Sequence, residues 1–343
     1  MNGQLPHRAQ RLIAWLALRV EAGQHQLARL PGGLKVWTTL LSAGFLLAAL
    51  LSHGQQLLQL RLDAQGWLWL VLGVGVSLAS LVANGLGLAV VLRWLGLAPH
   101  WQALVRAYLA TNSRKYWPGG IWHLAARVAL LRSPEAPLHQ PTTGAMALLA
   151  VLLDPLVAAI TALALVPLGG WQGGLALICL LPLLLLLPQG LNPLLLRLER
   201  SKARHLQDAI GMDGADGADG ATAMSHLPRL SRYPWPLVGA QLGFVLLRFA
   251  GFACCVEAFD LAYGLGWGGW LAGFALAWTA GLVVPGAPGG IGVFEAVLLL
   301  RLGFALPEAP LLAIAISYRL VVTVADLLAA LCAHWDQRLE ASR

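Results

Sequence analysis

The sequence predicts an all-α polytopic membrane protein with about six full spans plus two re-entrant helical hairpins in an inverted repeat. Three observations carry this. Of 343 residues, 58% are hydrophobic and only 11% are charged, where a soluble domain carries about 25% charged residues. Several apolar runs are long enough to cross a bilayer, which takes roughly 20 helical residues. The tetrapeptide Pro-Gly-Gly-Ile stands twice, from Pro118 and from Pro288, about half the chain apart. Proline removes a backbone donor and stops a helix, and glycine lets backbones approach closely. In lipid, such backbone survives only when buried in protein or lining a wet cavity. Paired Gly/Pro interruptions in corresponding halves point to a transporter's binding site.

The elements follow in order. Residues 1–33 set Arg8, Arg11, Arg19 and Arg29 among Leu12, Ile13, Trp15, Leu16 and Leu18. This reads as an amphipathic helix on the cytoplasmic surface, or equally as a disordered basic tail. No cleavable signal is expected, because no good cleavage site follows the short apolar patch. Residues 34–52 form a first span, and Arg61 and Asp63 lie in the connector after it. Residues 67–95 form a second, with Trp67, Trp69 and Trp94 suited to the membrane interfaces. Its excess length implies tilt.

Residues 99–132 mix Arg106, Arg114, Lys115, Arg127 and Arg132 with apolar side chains around Pro118-Gly119-Gly120. We read a helix, a break and a second helix, entering from the cytoplasmic side and returning to it. Residues 142–167 span next, with Asp154-Pro155 inside, and residues 175–195 span back. The 196–233 segment is the longest polar stretch. Its acidic residues Asp213, Asp216 and Asp219 repeat every three positions and lack the EF-hand pattern, so a flexible cytoplasmic linker is expected. Residues 235–259 span with Arg248 inside. Residues 268–284 and 289–304 flank the second break, Pro288-Gly289-Gly290, and 309–332 span last with Arg319 and Asp326. A cytoplasmic tail, 336–343, follows. Half one is then 34–167 and half two 175–332.

Charge fixes the orientation. With both termini, the 93–137 region and the 196–234 loop inside, all but four of the 23 lysines and arginines lie inside, the four being Arg61, Arg248, Arg301 and Arg319. That asymmetry follows the positive-inside rule. The net charge of +7 is therefore explained by topology, and no nucleic-acid partner is expected. The four cysteines, Cys179, Cys254, Cys255 and Cys332, all fall in apolar segments and read as buried thiols. No metal-ligand spacing exists, and His123 reads as a hydrogen-bond anchor. The Gly-rich run 286–292 lacks the ending of a P-loop, and no nucleophile elbow is visible. No cofactor, metal or enzymatic activity is expected.

Six charged residues stand in or beside the spans: Arg127, Asp154, Arg248, Glu295, Arg319 and Asp326. Charge at membrane depth is costly and is usually paired or facing a cavity. One reading makes them structural pairs that lock helices together. The other gives Arg127, Arg248, Arg319, Asp154 and Glu295 a substrate-binding or coupling role beside the break residues Pro118, Gly119, Gly120, Pro288, Gly289 and Gly290. Asp326, two turns beyond Arg319, is expected to be structural or near the interface. Helix N-termini after each break offer N–H groups to an anion, and arginine adds a bidentate phosphate partner.

The stretch Pro288-Gly289-Gly290-Ile291-Gly292-Val293-Phe294-Glu295-Ala296 closely resembles the signature of the lysylphosphatidylglycerol synthase transmembrane family, also called the flippase-like domain family. Asn112, the Lys115–His123 run and Arg127 resemble that family's first motif; Tyr318-Arg319 resembles its last-helix arginine and Asp154 its acidic residue. The resemblance covers roughly 34–335. It implies a multi-spanning domain of a prokaryotic cell (inner) membrane that moves a lipid between leaflets. The best understood members also carry a soluble aminoacyl-transferase domain. This sequence has no room for one, so lysyl transfer is not expected.

Two functions are therefore weighed. The first is a flippase-like translocase that moves an anionic or glycosylated lipid headgroup through a cavity between the two breaks, downhill or ion-coupled. The second is a non-transporting accessory or scaffold for a lipid- or glycan-modifying enzyme, docking through the 196–233 loop and the basic N-terminus. A homo-oligomer or a partner enzyme fits either. An embedded lipid transferase is a third, weaker reading.

Overall fold

The computed structural model describes residues 62–116, 122–170, 174–193, 230, 232–261, 264–284 and 288–341. The expected N-terminal helix at 1–33, the span at 34–52, nearly all of the 196–233 loop and the 117–121 part of the first break lie outside them.

The described residues form helices and connecting turns, with no strand among them. The helices are α1 (Ala64–Trp94), α2 (Trp101–Asn112), α3 (Trp122–Arg132), α4 (Gly144–Leu163), the short pieces α5 (Leu175–Ile178) and α6 (Pro182–Leu185), then α7 (Trp235–Ala258), α8 (Trp267–Val283), α9 (Val293–Leu302) and α10 (Glu308–Ala341). Four are long and apolar enough to cross a membrane: α1, α4 with its extension to Gly169, α7, and α10 as far as Asp336. Residues 175–193, the described part of the expected 175–195 span, are broken into α5, α6 and a further turn. The cause is local. Pro182 and Pro188 lack the N–H that a continuing helix needs, so each begins a new turn.

The termini of the long helices are closed by short polar side chains. Asp63 Oδ1 accepts from the Gly66 N–H at 2.6 Å at the start of α1. Thr143 Oγ1 accepts from the Met146 N–H at 3.3 Å at the start of α4. Each satisfies one of the donors that a helix start leaves open.

The fold is built around α1 and α7. Small residues let their backbones close: Gly66 faces the Ala258 carbonyl, Gly73 faces Gly251 and Cys254, and Gly87 faces Gln241. Rising numbers on one helix meet falling numbers on the other, so the pair is antiparallel. A Cβ on Gly251 would lie only 2.7 Å from Ser77 Oγ, which is why this seam needs glycine.

Each of these helices leads into a helical hairpin. The α2–α3 hairpin follows the C-terminal end of α1, with Arg127 of α3 reaching back to Thr111 of α2. The α8–α9 hairpin follows the C-terminal end of α7, with Leu302 packed against Gly273. The described edge of the first break meets the second: a Cβ on Gly289 would lie 3.3 Å from the Tyr116 ring. The flanking helices repeat the same scheme. α4 packs on α7 and α8, and α10 packs on α1 and α2. One hydrophobic core joins α1 to α4, and a second, rich in aromatic rings, joins α7 to α10.

Candidate functional site

The charged residues gather around the second break and the described edge of the first. Five of the six expected ones are buried: Arg127, Asp154, Arg248, Glu295 and Asp326. Arg319 is part-buried. Their surroundings divide them into three groups.

Arg319 and Glu295 clamp the second break. Arg319 on α10 donates from Nε to Glu295 Oε1 at 2.8 Å, from Nη2 to the Gly290 carbonyl at 2.6 Å, and from Nη1 to the Gly289 carbonyl. Glu295 Oε2 accepts from the Gly292 N–H at 2.7 Å. The break needs such support. Gly289, Gly290 and Gly292 all have positive φ, and their peptide groups cannot join a regular helix. The open N–H groups expected at the start of α9 are thus partly used, since Glu295 already caps Gly292.

Asp326 holds the described edge of the first break. It was expected to be structural or near an interface; it is fully buried and sits at the centre of a network. Its Oδ1 accepts from Asn112 Nδ2 at 2.7 Å. Its Oδ2 accepts from Tyr116 Oη at 2.5 Å and pairs with Lys115 Nζ at 2.7 Å. Arg127 joins through Asn112, donating to Oδ1 at 3.2 Å, and lies over the Tyr108 ring with its guanidinium carbon 3.5 Å from the centroid. Pro118, Gly119 and Gly120 fall outside the described residues. Pro288–Gly290 form a short turn opposite Tyr116.

Asp154 heads the third group, which joins the second through Tyr108. Its Oδ1 accepts from Gln241 Nε2 at 2.6 Å. Gln241 Nε2 also lies 3.4 Å from Asn84 Oδ1, and Asn84 Nδ2 donates to Tyr108 Oη.

Arg248 differs from every other cation here. It is only 6% exposed, and its Nε and Nη1 have no hydrogen-bond partner. The Phe244 ring lies 5.7 Å away. Asp326 acts on it electrostatically without bonding to those two nitrogens. In the cluster, three cations (Lys115, Arg127, Arg248) face two carboxylates (Asp154, Asp326), while Arg319 and Glu295 neutralise each other. One positive charge is left over.

Sequence reasoning did not place Tyr108, Tyr116, Lys115, Asn84 or Gln241 in the site. Asn84 and Gln241 are amides inside long apolar helices, and that isolation is the signal that finds them. Compared with protein-family models and with curated proteins, the chain matches none.

Proposed function

We propose that this chain is a membrane lipid translocase that moves an anionic or glycosylated headgroup between leaflets through the space where the two hairpin tips meet. The carrying observation is Arg248, a buried guanidinium with two donors unpartnered. An uncompensated buried cation costs several kcal/mol, and a phosphate accepting from adjacent guanidinium N–H groups removes that cost. The leftover charge of the cluster asks for the same ligand. The resemblance of the second break to flippase-like proteins supports a lipid as its carrier.

In this reading the hairpins are re-entrant. α2, with 12 residues, and α9, with 10, reach about 18 and 15 Å at 1.5 Å per residue, short of a hydrocarbon core of roughly 30 Å. The antiparallel central pair and the repeated packing scheme support reading the halves as an inverted repeat, the architecture that presents one site to two faces. The end holding Arg93, Arg106, Arg132 and Arg338 is cytoplasmic, and the end holding Asp63, Glu257, Asp260 and Glu308 faces outward. The membrane is the prokaryotic cell (inner) membrane, with both termini cytoplasmic.

The test is headgroup translocation in liposomes holding purified protein, across a panel of anionic phospholipids and polyprenyl phosphates. Wild type moves at least one of them, and Arg248→Gln and Arg127→Ala abolish movement while the protein stays folded. If no lipid moves, or if Arg248→Gln transports like wild type, the reading fails. The accessory reading would then lead, and trimming the 196–233 loop would be the informative change.

A further inference from the structure

The Asp154 end of the cluster contains more than an anion site needs. Asp154 is buried at 3% exposure, and among the described residues its carboxylate accepts one hydrogen bond, from Gln241. Gln241 is 1% exposed, and its Oε1 has no partner. The four groups Asp154, Gln241, Asn84 and Tyr108 form a wire through α4, α7, α1 and α2, in which Gln241 Nε2 donates both to Asp154 and to Asn84, and Asn84 Nδ2 donates to Tyr108. The junction sits against Gly87. A Cβ there would lie 3.2 Å from Gln241 Nε2, 3.7 Å from Asn84 Oδ1 and 3.9 Å from Asp154 Oδ1.

An amide carries a donor and an acceptor on one planar group of nearly constant shape, so a half-turn reverses its polarity with little repacking. We propose that Asp154 is a proton-binding site and that Gln241 and Asn84 reverse together when it is occupied. With Asp154 ionised, Gln241 Nε2 donates to it and Oε1 is left idle, as observed. With Asp154 protonated, its O–H donates to the turned Gln241 Oε1, which also accepts from Asn84 Nδ2. Asn84 Oδ1 then accepts from the Tyr108 hydroxyl. Tyr108 thus changes from acceptor to donor directly beneath Arg127. One proton enters, every hydrogen bond in the wire is retained in reversed sense, and no other group is consumed.

The charges around the wire fix the sign of the effect. Facing Asp154 are Arg127 on α3 and Tyr108 on α2, and Arg248 on α7 acts on Tyr108. α8 carries no titratable group, and α1 offers only Arg93 in its last turn. Protonating Asp154 raises the excess positive charge of the cluster from one to two. A bound anion and a bound proton therefore stabilise each other, and by linkage each strengthens the other's binding equally. This rests on the translocase reading: the proton would travel with the anionic headgroup and couple its movement to a pH gradient.

The test separates the two. Infrared difference spectra of purified wild type across a pH titration show a buried carboxylic C=O band appearing on acidification, and Asp154→Asn removes it. Gln241→Met, which takes away the donor to the ionised form, leaves the band present across the whole titration. In liposomes, wild-type lipid movement rises at least several-fold with a pH gradient, and Asp154→Asn movement ignores the gradient. A band unchanged in Asp154→Asn overturns the proton site. If the band behaves as stated but no lipid moves, the switch stands, and the translocase reading and the coupling fail together.

Discussion

At the residue scale, the decisive contrast lies between two arginines. Arg319 donates to a carboxylate and to two carbonyls, whereas Arg248 leaves Nε and Nη1 idle in a buried setting. The first holds structure and the second waits for something. Glu295→Gln keeps the shape of the clamp and removes its charge. It should cost about 1.5–3 kcal/mol, the range for a hydrogen bond to a charged group, seen as a lower unfolding midpoint in detergent. Arg248→Gln should leave that midpoint unchanged or raise it, because a buried unpaired cation is a liability to the fold. A large destabilisation by Arg248→Gln would show that it is tied into the bundle after all. That these residues are special was legible in the sequence, since charge within an apolar run rarely lacks a role. Which of them pair was not. Asp326 bonds to Asn112 and Tyr116 across more than two hundred positions, and no local pattern reports that.

At the element scale, glycine decides which helices touch. A Cβ on Gly268 would lie 2.4 Å from the Leu168 carbonyl oxygen, and that oxygen belongs to the backbone and cannot rotate aside. Gly268→Ala should therefore destabilise by about 1–3 kcal/mol, as overpacking does, and loosen α8 from the end of α4. Gly75 on α1 has nothing within 4 Å of a Cβ and is exposed. Gly75→Ala should gain about 0.5–1 kcal/mol from the lower entropy of its unfolded chain. Equal effects at the two positions would mean that the α4–α8 contact does not hold in the protein. The long helices α1, α4, α7 and α10 were readable because their apolar runs exceed what a span needs. The 175–193 region is less regular than its composition suggests. Its leucines give the run the composition of a span, while Pro182 and Pro188 cut its backbone into short turns.

At the scale of the whole molecule, the question is whether the two halves face opposite ways. The sequence suggested it from one repeated tetrapeptide and from the distribution of arginine. Neither can say that the edges of the two breaks touch, because the contact between Tyr116 and Gly289 joins residues far apart in the chain. The fold supplies two anchors for a direct test. The start of the first hairpin lies at the C-terminal end of α10, where Arg106 Nε pairs with Asp336 at 2.8 Å. The start of the second lies against Leu168, at the other end of α4. His100 and Gly266 are both exposed and mark these two starts. Cys332, expected as a buried thiol, is exposed on α10. In a Cys332→Ser background that leaves only buried native thiols, His100→Cys should therefore react with an impermeant thiol reagent from the cytoplasmic side alone. Gly266→Cys should react from the outside alone. Reaction of both from one side would place the hairpins on the same face. The antiparallel seam of α1 and α7 would then have to lie along the membrane rather than through it, and no headgroup could be passed between the two tips.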